Sequence, residues 1–178
     1  QGERAVTDAI RQWVEDQTGL TAIWLNPNAP RPDRPYASLQ IINVARKGEA
    51  DRGRLDDQGQ VDVYLQREVT VSVQIYDDAA DPRSALQRAE ALRDSLDLQG
   101  VLFTLVQAGW AFRGVELLTD NPELLDSGFE PRATFDVRFG ITKTRIDDLG
   151  LVEHVIYDAD FESNQYQFEA QIEESSNG

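Results

Sequence analysis

Residues 60–76 read QVDVYLQREVTVSVQIY, and apolar and polar residues alternate along them. The apolar members are Val61, Val63, Leu65, Val69, Val71, Val73 and Ile75. Only Arg67 interrupts the order. Successive side chains of a strand point to opposite faces, so the pattern predicts a long strand with one apolar and one polar face. We expect it to lie in an antiparallel sheet whose polar face suits contact with other subunits or a passing polyanion, rather than catalysis in a pocket.

A second alternating stretch covers residues 131–146, with its apolar members expected inward: Ala133, Phe135, Val137, Phe139 and Ile141. We expect these two long strands to form the centre of the sheet. Shorter strands are predicted at residues 20–25, 36–45 and 110–118. In the second of these, Ala37, Leu39 and Ile41 share a face before the phase becomes ambiguous at Ile42 and Val44.

Helical spacing predicts three helices. The first covers residues 3–17 and ends at Gly19. The second is capped by Asp81 and begins at Pro82, where a missing amide costs nothing. Its buried stripe is Ala85, Ala89, Leu92 and Leu96. The third covers residues 99–108.

Three polar segments connect these elements. Residues 26–35 are rich in proline and are expected on the surface. Residues 46–59 are predicted to be a projecting hairpin loop, and residues 121–126 (NPELLD) a short capped turn. Together the elements predict an α+β fold: a twisted, mainly antiparallel sheet flanked by two or three helices on one face, with an extended C-terminal arm.

The net charge of -15 is unevenly distributed. All 17 Lys and Arg residues precede residue 147, whereas residues 147–178 contain nine Asp and Glu. We therefore predict a ring-forming domain over residues 1–146 and an acidic arm over residues 147–178. An acidic surface argues against DNA wrapping and lets DNA slide past without sticking.

Basic residues concentrate in the predicted loop, at Arg46, Lys47, Arg52 and Arg54. They are candidate assembly contacts to phosphates, to acids of a partner or to a neighbour's tail. The alternative is a loop whose mixed charges keep it hydrated.

The acidic arm contains two strand-like segments, residues 151–157 and 165–173. In the second, Tyr166, Phe168 and Ile172 alternate with polar residues and are further candidate assembly contacts. This segment either adds to the edge of a neighbour's sheet or pairs within its own chain.

Few residues suggest chemistry. The chain has no cysteine, one histidine (His154) and no glycine-rich phosphate loop, so we expect no cofactor, metal site or enzymatic activity. Acid pairs such as Asp77 with Asp78 are typical of surfaces and caps, although a carboxylate-dependent hydrolase stays as an alternative. Trp13, Trp24 and Trp110 are expected in the core.

No apolar run approaches the roughly 18 residues of a membrane span, so no membrane partner is expected. The start lacks the apolar core of a secretory signal, and the absence of an initial Met predicts a few missing residues.

Four segments resemble a known family: PYASLQIINV (residues 35–44), QREVTVSVQIYDD (66–78), ALRDSLDL (91–98) and NPELLDSGFEPRATFDVRFG (121–140). In this order they resemble the bacteriophage neck and tail terminator proteins, over about two thirds of the chain. The most distinctive parts are QREVTV and the segment from ELLD to FG.

The resemblance implies a small α+β virion subunit, not an enzyme, assembled in the host bacterial cytoplasm into a ring, usually a hexamer, at the head–tail junction. Its implied partners are its own copies, the tail tube protein, and the connector, adaptor or other neck proteins. Such a ring caps the tube and docks it to the head, while genomic DNA passes through the lumen without sequence-specific binding. A head-closure ring of the same neck is the alternative. The tail after Gly150 is longer and more acidic than the family pattern, so it either belongs to the ring or reaches another neck protein.

Overall fold

The computed structural model describes residues 2–25, 30–78, 83–125 and 128–150. It has an α+β fold, as predicted. The helices are α1 (Gly2–Thr18), α2 (Ser84–Asp94) and α3 (Gln99–Gln107), with a 3-10 helix at Ser95–Asp97. The strands are β1 (Thr21–Trp24), β2 (Tyr36–Arg46), β3 (Asp51–Arg52), β4 (Gln60–Tyr76), β5 (Ala111–Val115), β6 (Thr119–Asp120), β7 (Glu123–Leu125), β8 (Gly128–Glu130) and β9 (Arg132–Asp148).

Seven strands form one mixed sheet with the order β1-β2-β4-β9-β5, to which β3 and β6 add at β4 and β9. The two long strands β4 and β9 are adjacent at its centre, which confirms the prediction. Strand β1 pairs parallel with β2, whereas the pairs β2–β4, β3–β4, β5–β9 and β6–β9 are antiparallel. Strands β7 and β8 form a separate hairpin.

The chain divides into two compact units. The first contains residues up to Glu49 together with Gln66–Lys143. The second contains Ala50–Leu65 and the described residues from Thr144 onward. The predicted division into residues 1–146 and 147–178 stays a prediction.

In the first unit, one face of the sheet packs against the helices. Alternate residues of β4 and β9 lie in the same buried core as residues from α1, α2 and α3. Phe139 is central to this core, since the rings of Trp13 and Trp110 meet it edge-on at 6.3 and 5.4 Å. Trp24 is partly buried against the same core, so the prediction for all three tryptophans is confirmed. Edge-on packing of large aromatic rings stabilises such a core beyond the area they bury.

Helix α1 forms as predicted, with Ile10 and Val14 fully buried. It ends where Gly19 adopts a φ of +68°, a left-handed conformation that glycine adopts without steric cost. The buried stripe predicted for the second helix is also confirmed, because Ala85, Ala89, Leu92 and Leu96 are at most 2% exposed.

The predicted start of the second helix is wrong. Helix α2 begins at Ser84, and its N-cap is Arg83, which makes no side-chain capping bond. Asp81 and Pro82 lie outside the described residues. Asp81 and Pro82 are residue types that favour a helix start, but the first turn of α2 begins at Ser84.

Two predicted loops contain strands. Within residues 46–59, β2 extends to Arg46 and Asp51–Arg52 pairs with β4. NPELLD is not a simple turn, because β7 pairs with β8 as a hairpin. Both strands are two or three residues long, and so short a segment has no alternation from which a strand can be predicted.

In the second unit, a tight turn precedes β4. The Asp56 carboxylate accepts hydrogen bonds from the backbone of Gln58 and Gln60, at 2.9 and 2.8 Å. Gly59 has a φ of +78°, and a Cβ on it would lie 2.5 Å from the backbone of Gly150. Only glycine permits this approach.

Among the described residues, no helix has the length and hydropathy to cross a membrane.

Candidate assembly surfaces

The first candidate surface is the edge of β2, which extends beyond its neighbour. Strand β2 has 11 residues, and β1 pairs only with its first four, from Tyr36 to Leu39. The remaining seven, residues 40–46, pair with β4 on one side and with no described strand on the other. Unpaired backbone N–H and C=O groups along such an edge can accept another strand.

Aliphatic side chains are exposed along this edge. Ile41, Ile42 and Val44 are 42%, 50% and 49% exposed. Ile41 shares its face with Leu39, as predicted, since it pairs with the buried Val71. It remains exposed because β1 has already ended there.

The second candidate surface is on α3, whose sequence QGVLFTLVQ has apolar residues on the side that faces the core and also on its exposed side. Leu105 is 1% exposed and belongs to the core, whereas Phe103 and Val106 are 66% and 52% exposed. Leu98, just before the helix, is 56% exposed. A group of exposed apolar side chains is typical of interaction sites, so this surface suits a protein contact.

A cleft of about 250 Å³ lies beside the α3 surface. It is lined by Val106 and by polar groups that include Gln66, Arg113 and Thr142. The Arg113 guanidinium lies close over Gly140, where a Cβ would meet its Nε at 2.6 Å. An apolar side chain with polar groups around it is typical of the border of an interface.

The polar face of β4 differs from the prediction. Thr70 and Ser72 were expected to be outward and available for docking, but they are 8% and 6% exposed. Thr70 and Ser72 pair with Asn43 and Gln40 of β2. This part of the face is therefore packed rather than open.

A polar cluster occupies the same face at the end of β4. The rings of Tyr36 and Tyr76 stack at 4.7 Å, and the Tyr76 hydroxyl donates to Gln74 Oε1 at 2.7 Å. Arg132 donates to the same oxygen at 2.8 Å, and its guanidinium lies 5.4 Å from the centre of the Tyr76 ring. Burial raises the pKa of Tyr36, and the adjacent Tyr76 raises it further. The cluster joins β2, β4 and β9 by side chains.

The four predicted basic contacts occupy different positions. Lys47 Nζ lies 3.3 Å from Glu68, and Arg52 donates to Asp147 at 3.0 Å. Arg46 pairs across the strands with Arg67, so two like charges face each other. Arg54 is exposed in the second unit. The structure therefore does not bring the four together at one site. Tyr166, Phe168, Ile172 and His154 lie outside the described residues.

The acids considered for hydrolysis have structural contacts. Asp77, 3% exposed, accepts a hydrogen bond from Arg88 Nε at 2.7 Å and from the Asp78 backbone at 2.8 Å. Asp147 pairs with Arg52, and Asp148 accepts from the Gly150 backbone at 3.3 Å. Within the described ranges, no group of three or more acids or histidines is placed to hold a metal ion.

Sequence reasoning missed the two apolar surfaces. The signals were present, since the phase of β2 becomes ambiguous at Ile42 and Val44, and five of the nine residues of α3 are apolar. The irregular phase of β2 and the composition of α3 can be read from the sequence, but they do not show which side chains remain exposed.

Comparison with known proteins yields a family match. Residues 4–167 match the family described as phage neck terminator protein. A similar solved chain, from the virion of a native gene transfer agent particle, is 15% identical, with 79% of this chain and 93% of that chain covered and a TM-score of 0.32. No curated protein matches the chain.

Proposed function

The chain belongs to the phage neck terminator family and is a structural protein of the phage neck, and from this premise we propose that it forms a closed ring at the head–tail junction. The ring, a hexamer, caps the tail tube and docks it to the connector, with genomic DNA passing through its lumen. Its contacts are with its own copies, the tail tube protein and other neck proteins.

One observation of the structure carries the proposal: the first unit has two different apolar surfaces at opposite sides of its sheet. The β2 surface lies beside β1, at one end of the strand order, and α3 contacts β5, at the other end. A subunit of a ring meets two neighbours through two different patches, so head-to-tail contact between unlike surfaces produces a ring when the rotation closes. A symmetric dimer needs only one self-complementary patch.

The charge of the chain supports its place around DNA. A net charge of -15 opposes adhesion to phosphates, so duplex DNA can move through a lumen without being held. The family description favours a terminator over the head-closure alternative.

Native mass spectrometry of the protein mixed with the tail tube protein tests the proposal. We expect one closed oligomer with a mass that is a fixed multiple of the 20.0 kDa chain, bound to tube ends. A chain that is monomeric both alone and with the tube protein contradicts the ring. A monomer in isolation is compatible with assembly that starts only on the tube.

A further inference from the structure

The open edge of β2 has backbone groups that another strand can pair with. Between Gln40 and Val44 the exposed side chains include three aliphatic ones, and no Lys or Glu protects the edge there. Natural proteins commonly protect a free edge with charges, proline or a covering segment. A β-bulge at Ile42 disturbs the register, and pairing with β4 resumes at Asn43. The edge therefore suits an added strand with an apolar face.

The far end of the edge is positively charged. Arg46 lies directly opposite Arg67, and Lys47 follows. Like charges that face each other across two strands are destabilising. A carboxylate placed beside this pair would offset the repulsion, so the expected partner has an acid near one end.

The chain contains a segment with these properties outside the described residues. Residues 165–174 read QYQFEAQIEE, with an apolar residue at every second position up to Ile172. The segment contains three Glu and no Lys or Arg, and two of the three, Glu173 and Glu174, are at its end. Residues 151–164 separate it from the described part of the chain, and a stretch of this length spans at most about 50 Å.

We infer that residues 168–174 of a second copy pair in parallel with residues 40–46 of β2. In the proposed register, Ile172 lies beside Val44, and Glu174 lies beside Arg46, whose neighbour on the other side is Arg67. This inference rests on the assembly proposed above, and it names the segment that joins neighbouring subunits.

The two faces of the paired strands match in this register from Asn43 to Arg46, beyond the β-bulge. Val44 pairs with Val69, which is 2% exposed, so Val44 lies on the face that the helices cover. Arg46, two residues later, lies on the same face. Ile172 and Glu174 have the same spacing. The added strand thus continues the apolar layer and places its carboxylate beside the arginines.

The direction of the strands favours a second copy over the same chain. The side chains of Thr142 and Arg132 bond Gln66 and Gln74, so β9 runs antiparallel to β4 and in the same direction as β2. The Lys47 backbone also bonds Gln66, so the chain leaves the first unit at the end where Arg46 lies. If the same chain turned back from the end of β9 and paired with this edge, its strand would run antiparallel to β2. Glu174 would then lie far from Arg46.

Disulfide trapping tests the pairing, because the chain has no cysteine of its own. Two full-length single variants, Val44→Cys and Ile172→Cys, are mixed and oxidised, with and without the tail tube protein. Neighbouring strands lie about 4.8 Å apart, within the Cα separation that a disulfide accepts. We expect a shift from 20.0 kDa to twice that mass in the mixture. The control mixture replaces Val44→Cys by Thr104→Cys, an exposed position of α3, and stays unlinked.

Other outcomes overturn the inference. If Phe168→Cys links to Val44→Cys better than Ile172→Cys does, the strand is not parallel in this register. If the double variant links only within one chain, the partner is not a second copy. If the protein caps tubes but never forms the link, the inference fails while the proposed function stands.

Charge reversal provides an independent measurement. Arg46→Glu lowers the yield of the linked product, and Glu174→Arg on the other chain restores it. Arg54→Glu is the matched control, since it makes the same change at an exposed arginine of the second unit. Equal yields for Arg46→Glu and Arg54→Glu would contradict the proposed register.

Discussion

Asp77 connects the end of β4 to α2 through its buried carboxylate. Asp77→Ala removes hydrogen bonds from Arg88 and from the Asp78 backbone. We expect the free energy of unfolding to fall by about 1.5–3 kcal/mol, the usual range for bonds to a charged group, as measured by urea denaturation. Arg88 is 40% exposed, so water can solvate it in the variant, which limits the loss.

Asp94→Ala is the matched control for Asp77. Asp94 also pairs with an arginine, at 3.0 Å, but its side chain is 66% exposed. We expect a change within about 0.5 kcal/mol, because exposed pairs contribute little. Equal losses in the two variants would show that burial of Asp77 does not matter.

Tyr36 makes stability depend on pH in the alkaline range. Because burial raises its pKa, the folded state keeps the phenol proton at a pH where the unfolded chain, with a pKa of about 10, loses it. Its contribution is complete below that pH and is lost as the pH rises through the folded pKa. We expect Tyr36→Phe to reduce the fall in urea midpoint above about pH 10. An identical fall in both proteins would contradict this assignment.

Two residues of α3 allow folding and assembly to be tested separately. Phe103→Ser changes an exposed side chain, so we expect the free energy of unfolding to stay within about 0.5 kcal/mol. Leu105→Ala, two residues away, opens a cavity in the core and costs about 2–5 kcal/mol. Only Phe103→Ser should reduce oligomer formation in native mass spectrometry while the monomer melts normally. Undiminished assembly of that variant would remove α3 from the interface.

The acidic arm is tested by truncation after Gly150. We expect little loss of melting temperature by circular dichroism, because the core lies in the first unit, but a loss of assembly. Removal of residues 175–178 alone is the control and should leave assembly intact. Equal assembly of both truncated chains and the full chain would end the proposed role of the arm.

The long elements could be predicted from the sequence, and the short ones could not. Strands β4 and β9 repeat the two-residue period over most of their length, so local pattern alone identifies them. Strands β3 and β7 are too short to show a period, and they form only through pairing with β4 and β8. The start of α2 was also misplaced, since the helix begins at Ser84 and not at Pro82.

The candidate surfaces were only partly predictable for a physical reason. Exposure of Ile41 depends on where β1 ends, and exposure of Phe103 depends on which side of α3 the core covers. Neither is encoded within the strand or the helix itself. The basic residues were recognised, but their distribution between the two units is a property of the fold.

At the scale of the whole molecule, the account rests on assembly. The first unit has unlike apolar surfaces beside opposite ends of its strand order, and the arm supplies a segment matched to one of them. The charges are also distributed unequally along the chain: every Lys and Arg lies before residue 147, and the arm is acidic. These features fit a subunit whose function depends on its neighbours.

Cryo-electron microscopy of intact virions that contain this protein would show whether the chain forms a ring. We expect a closed ring of this chain between the connector and the tail tube, with the β2 surface and the α3 surface of every copy buried against neighbours. Density for the chain elsewhere in the particle, or copies at the junction that do not touch one another, would contradict it.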